Sequence, residues 1–322
     1  MATPRGNSKK VVYIALIGDI LIVCTKIAAA IVTGSAAMLS EAVHSIVDSA
    51  NEALILYGYS ESERRPDTVH PLGYGRELYF WSFIVSLMLF GFGAGVSLYQ
   101  GTQHVLSPKP IEYAFVSYVV LAFSFVFEGV SWFTAFRRLR ETRGKHSYWE
   151  AIHKSKDPPS FMVLLEDSAA LISIVVAVTG IFLSHTYHLY AMDGIASIVI
   201  GLVLATVAAI IANESKSLLI GEGASPALVT SILDLTVAEP GVVSANGVFT
   251  VHLSPDQVLV ALSVEFDDAM QTPQLERCVV EIESRIRAAH PEVVILFVKP
   301  QSKHRYQEWK AARYGTGTLH EK

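Results

Sequence analysis

Six stretches of the chain stay apolar long enough to cross the roughly 30 Å of bilayer hydrocarbon, which takes about 20 helical residues. They are residues 11–32, 36–57, 78–99, 113–136, 161–184 and 190–212. Beyond residue 220 the pattern shortens and becomes that of a small soluble domain. Residues 226–237 have helical periodicity and stop at Glu239-Pro240, while 248–252 and 258–266 read as strands joined across Ser254-Pro255-Asp256. A second helix is expected over 272–289, with Thr272 as N-cap and Pro273 at the first helical position, and a last strand over 293–298. The order helix, strand, strand, helix, strand predicts an α+β sandwich with its helices on one face of a sheet. From Lys303 onward the chain reads as a polar, frayed tail. The predicted organisation is a terminal segment 1–10, a membrane all-α domain of six spans over 11–220, an α+β domain over 221–300 and a tail over 301–322.

Composition agrees with this division. Of 322 residues 51% are hydrophobic and 17% charged, against roughly 25% charged in an ordinary soluble domain. That deficit excludes a disordered chain, and a net charge of -5 supplies no basic field for nucleic acid. Cys24 and Cys278 lie too far apart in sequence and context to suggest a disulfide framework or a cysteine zinc site. The first apolar run is too long for the core of a leader peptide, and no small-residue cleavage site follows it, so it reads as a mature span. Basic residues set the orientation: Arg5, Lys9 and Lys10, then Arg64, Arg65 and Arg76, then Arg137, Arg138, Arg140, Arg143, Lys145, Lys154 and Lys156 fall on one side. The opposite loops hold Lys109, so both termini are expected in the cytoplasm, in an inner or plasma membrane.

The ionisable residues inside the spans are the informative ones, since each costs at least about 2.5 to 3.5 kcal/mol at a helix centre unless paired or wetted. His44 and Asp48 are four apart on one helical face, where an imidazole and a carboxylate can converge on one cation. Glu166 and Asp167 are adjacent and point about 100° apart, so at most one can aim at the same point as His44 and Asp48. Glu128 reads equally as a packing or a proton-relay residue, and Asp19 as a group bonding a neighbouring helix or reaching the interface. A carboxylate cluster of this kind is costly when empty and favourable around a divalent cation.

The run from Gly34 to Asp48, GSAAMLSEAVHSIVD, resembles the second-span motif of the cation diffusion facilitators, a family of proton-coupled metal exporters. His70-Pro71-Leu72-Gly73-Tyr74-Gly75-Arg76 is similar to the short cytoplasmic motif that follows it. Asp157-Pro158 with Val163 to Ala170, after a basic loop, is similar to the branch of the family typified by zinc transporter 9. The resemblance implies six spans followed by a cytoplasmic ferredoxin-like domain, with no resident cofactor. It implies a homodimer that exports a divalent metal by alternating access in exchange for protons. His44 and Asp48 match the family's first ligand pair and Asp167 matches one member of the second. Val163 stands where the family has His or Asp, leaving Glu166 or water as fourth ligand. This tilts the donor set toward oxygen, keeping zinc first and admitting manganese, iron or cobalt.

His44, Asp48 and Asp167 would also carry the exchanged protons, His44 through its ordinary pKa of about 6.5. Asp67 and His70 match a peripheral metal site in which Tyr74 replaces a ligand, the alternative being a solvated loop with a capping role. Asn246, Ser263 and Phe297 fall at or near the cytoplasmic domain's usual metal positions, so the domain is expected to dimerise through apolar strands. His252 and His290 remain its only loose metal candidates. Arg76 is expected to interlock with Glu222. Two other classes stay open, a membrane metallo-hydrolase and a metal sensor without transport. No His-Glu-x-x-His or Gly-x-Ser-x-Gly motif supports the first. Within the spans, Ser197, Gly201, Ala205 and Ala209 form a small-residue stripe, and Gly91, Gly93 and Gly95 favour close packing or bending.

Overall fold

In the computed structural model, which describes residues 20–143 and 147–315, the first turn falls at Gly34, whose φ of +64° is one that L side chains rarely adopt. Its N–H donates to the Ala30 carbonyl at 3.0 Å and ends α1 (Ile20–Thr33). Ser35 then caps α2 (Ala36–Ser62), its Oγ accepting from the Met38 N–H. The first half of the expected first span, Asp19, Arg5, Lys9, Lys10, Lys145 and the tail over 316–322 lie outside the described residues.

The described chain divides into two units: the chain up to Glu63 with Glu77–Lys216, and Arg64–Arg76 with the chain from Ser217 onward. The first unit is helical. After α2 come α3 (Glu77–Met88), a π turn over Leu89–Ala94, α4 (Gly95–Leu106), α5 (Ala114–Thr142), α6 (Tyr148–Lys154), α7 (Pro158–Thr186) and α8 (Ala191–Ile220). Among the described residues, four stretches are long and apolar enough to cross a membrane: Glu77–Leu106, Ala114–Glu141, Pro158–Thr186 and Ala191–Ile220. Helix α2 has the length but carries Glu41, His44, Asp48 and Glu52, and α1 is described over 14 residues.

Of the three glycines expected to favour close packing or bending in the third span, Gly91 and Gly93 lie in the π turn and Gly95 opens α4; the Ser97 hydroxyl donates to the Gly93 carbonyl there. Further along, α4 and α8 meet backbone to backbone. A Cβ built on Gly101 would lie 2.7 Å from the Gly194 carbonyl oxygen, and one on Gly194 2.8 Å from that of Gly101. Of the small-residue stripe on α8, Gly201 faces Leu98 and Ser197 donates to the Ser97 carbonyl, but Ala209 is exposed. The buried line of that helix is Ile200, Leu204, Ala208 and Ile211.

The second unit is a small α/β domain with the sheet order β1 (Val242–Ser254), β2 (Gln257–Phe266), β3 (Val293–Pro300). The first pair is antiparallel and the second parallel. Alternate residues Val258, Val260, Leu262 and Val264 of β2 point into the core. Ile232 of α9 (Pro226–Val237) and Cys278, Ile282 and Ile286 of α10 (Thr272–Ala289) meet them, the last three at the helical spacing of four.

Three expectations need correction. Gln271, not Thr272, caps α10, because its side chain and that of Gln274 exchange bonds with each other's backbone in a capping box. The tail is not frayed over Lys303–Tyr314 but forms α11, capped by Ser302. The helices are therefore not confined to one face: Trp309 of α11 sits edge-on to Phe249 at 5.0 Å, and Phe249 pairs with Ala261, whose neighbours Val260 and Leu262 point to the core.

Gly101→Val should drive a side chain into the α8 backbone and destabilise the protein by about 1–3 kcal/mol. Thermal unfolding in detergent would read this as a lowered midpoint, with Gly91→Val, which faces open space, as the contrast.

Candidate metal site

The site begins with the way α2 is held. Asp193, fully buried at the start of α8, accepts from the Ser35 hydroxyl at 2.6 Å and from the Ala36 and Ala37 N–H groups at 2.5 and 3.4 Å. A carboxylate there satisfies donors that a helix start leaves unpaired and complements the positive end of its dipole. His104 of α4 brings its Nε2 to 3.7 Å from the same carboxylate.

A little over two turns along α2, His44 is fully buried, with its Nδ1 3.4 Å from Asp48 Oδ1. Among the described residues, neither His44 ring nitrogen nor Asp48 Oδ1 finds a hydrogen-bond partner. Buried nitrogens without partners are rare unless a ligand or water is meant to meet them. Asp48 also lines a cavity of about 650 Å³ whose wall carries Glu52, Glu128, Glu166, Asp167 and Val163. Glu166 accepts from Asn51 Nδ2 of α2 at 3.0 Å, and Asp167 from Ser131 Oγ of α5 at 2.7 Å. The two adjacent carboxylates thus turn to different helices, as their angular separation requires, and the one bonded to α2 is Glu166. His44 and Asp48 are brought together, and Asp167 and Glu166 share the cavity with Asp48. Among the described residues, no three His, Cys, Asp or Glu side chains converge as a closed ligand set.

The other predicted positions are engaged locally. Asp67 Oδ1 accepts from the Val69 and His70 N–H groups at 2.9 and 2.7 Å, and its Oδ2 from the Tyr74 hydroxyl at 2.6 Å. The Tyr74 bond foremost, then the His70 N–H, holds the Asp67 carboxyl down at about 2. His70 Nδ1 lies 3.7 Å from Asp67 and its ring packs on Tyr74. His290 shares a 2.7 Å hydrogen bond with Ser231 and lies 3.5 Å from Glu292, while His252 is buried on β1 with Nδ1 3.3 Å from the Ser254 carbonyl. Arg76 Nη2 lies close to Gly221, the residue before Glu222.

Sequence reasoning passed over Lys26, Glu41, Asn51 and Asp193. Lys26 is fully buried in α1, its Nζ 3.2 Å from Glu41 Oε2, 2.8 Å from Ser45 Oγ and 4.0 Å from Glu128 Oε1. A single lysine inside an apolar run was the available signal. Asp193 lies so near the start of its span that it reads as an interfacial residue.

Residues 12–220 match the family model described as the cation efflux transmembrane domain. Over 265 residues, 82% of this chain, the sequence is 34% identical to the mitochondrial proton-coupled zinc antiporters SLC30A9 of Xenopus laevis and Homo sapiens, covering 47% of each. It is 31% identical to metal tolerance protein C4 of Arabidopsis thaliana, over 67% of this chain and 48% of that protein. It is 24% identical to the manganese efflux system protein MneP of Bacillus subtilis, over 71% and 74% of the two chains. The chain spans about half the length of the zinc antiporters it matches.

Asp193→Ala should leave the Ser35 hydroxyl and two α2 amides without an acceptor and cost on the order of 3 kcal/mol, read as a lowered unfolding midpoint in detergent. Asp193→Asn, which keeps an acceptor oxygen, should lose less. In the loop, Tyr74→Phe should raise the Asp67 carboxyl from about 2 toward its ordinary 3.8, followed by carbon-detected NMR against pH. The folded form holds this carboxyl below its ordinary value, so the bond's contribution is present above that value and is lost as pH falls through about 2.

Proposed function

The chain belongs to the cation efflux family, and on that premise we propose that it is a secondary transporter exporting a divalent transition metal in exchange for protons. It is an integral membrane protein, with four helices among the described residues long and apolar enough to cross a bilayer. The observation that carries the reading is a buried imidazole, both of whose nitrogens lack hydrogen-bond partners among the described residues, contacting an aspartate on the wall of an acid-lined cavity.

In this reading α1 and α2 complete six spans, with both termini cytoplasmic. His44 and Asp48 take the ion from one side, and Asp167 closes on it after releasing Ser131. Glu166 or a water molecule fills the place that Val163 cannot. A neutral imidazole nitrogen binds metal and a protonated one does not, so His44 exchanges one cation for another. The carboxylates are costly with neither partner, which favours occupancy by metal or by protons throughout a cycle of alternating access. Two oxygen donors to one nitrogen suit zinc and leave room for manganese, iron or cobalt. The named activities of the zinc antiporters and of the manganese efflux protein support both ends of that range.

The second unit is proposed as a ferredoxin-like dimerisation domain without the family's paired metal ions. His290 is occupied by Ser231 and Glu292, and His252 stands by a backbone carbonyl. Asp67 is proposed as a turn-forming residue, because its oxygens already accept from Tyr74 and two backbone amides. Arg76 and Glu222 are proposed as an interlock within that unit.

Reconstituted protein carrying an internal pH dye should show zinc-dependent proton movement, with manganese, iron and cobalt run in parallel. His44→Ala should abolish it, a fall of at least a hundredfold, while leaving the unfolding midpoint near that of the parent. Parental flux in the variant would overturn the assignment.

A further inference from the structure

We propose that Lys26 is a built-in cation of the acidic cavity, a positioning residue that holds Glu41 and shares Glu128 so that an incoming divalent ion is bound only moderately tightly. This rests on the cavity being the cargo site. Ile22 and Val23 of α1 line the cavity, and Lys26 follows at three and four residues, on the same helical face. Its ammonium contacts Ser45 at 2.8 Å and approaches Glu128 at 4.0 Å, and both of these line the cavity as well. Glu41, one turn before Ser45, accepts from the ammonium through Oε2 at 3.2 Å, while its Oε1 has no hydrogen-bond partner among the described residues.

A fully buried ion pair is a poor device for stability, since desolvating two charges costs about as much as their attraction returns. Its position offers another use. Asp48, Glu52, Glu128, Glu166 and Asp167 put five carboxylates on one cavity. Unopposed, they would hold a divalent ion too tightly for a protein that must release it. One fixed ammonium behind them lowers the attraction and keeps Glu128 engaged when no metal is present.

Two variants separate this role from packing. Lys26→Met with Glu41→Gln removes both charges and leaves no lone buried ion; Glu41→Gln alone keeps the ammonium and turns it toward Glu128. Titration calorimetry of zinc and of manganese into the full chain in detergent, at fixed pH, should show Kd rising about tenfold in the single variant, the scale of one charge acting across a partly screened site, and falling by a smaller factor in the double variant, which loses an ion pair whose positive end is the nearer to the cavity. In vesicles the double variant should show a lower KM together with a lower kcat. A packing role moves Kd the same way in both variants or leaves it unchanged, and either result overturns the proposal. Flux by the parent without the opposed Kd shifts sinks the Lys26 role and leaves transport standing. The opposed shifts without flux do the reverse, and a parent that binds neither ion overturns both.

Discussion

One buried carboxylate fixes the helix on which the proposed chemistry depends. Asp193 reaches from α8 to the first turn of α2 and accepts from three donors there, with His104 of α4 beside it. Asp193 is fully buried, so solvent water does not replace those bonds, and α2, α4 and α8 share a common anchor. The backbone contact of Gly101 with Gly194 and the Ser40, Ser197 and Ser97 bonds lie along the same seam. His44 and Asp48 are therefore carried on a helix held at its beginning, with the Asp48 carboxylate on the wall of the cavity.

The other wall of the cavity is built differently. Helix α7 stands between α2 and α5, and its two acids are each tethered to one of them, Glu166 to Asn51 and Asp167 to Ser131. The Trp132 indole donates to Ser168 one residue further on. An ion drawing Asp167 away from Ser131 would break an α5 contact as it made one to α2. In the proposed transport cycle, the Ser131 hydroxyl would thereby couple metal binding to the spacing of these helices.

Much of this was legible because the residues concerned obey one periodicity. The alternation of 258, 260, 262 and 264 and the four-residue step of 278, 282 and 286 each name an element and its buried face. The spacing of His44 and Asp48, and the angle between Glu166 and Asp167, follow from helical geometry alone. What escaped depends on partners remote in sequence. Lys26 is one cation among apolar neighbours until Glu41 and Glu128 are beside it, and Asp193 is an interfacial acid until it meets Ser35 across 158 positions. Helix α11 was hidden by its polar composition, since its anchor is a ring contact from Trp309 to Phe249.

The π turn in the third span has a bearing on phase. Leu89, Gly93, Ser97 and Gly101 are all buried and are spaced by four, a step that drifts by about 40° each time on a regular α-helix, or about 120° over the three steps. One extra residue in the turn takes back about 100° of that drift. Gly93, Ser97 and Gly101 can then meet Leu204, Ser197 and Gly194 in order along one edge of α8. The irregular turn sits where these contacts begin, and from it α4 stays against α8 as far as Gly101 and Gly194.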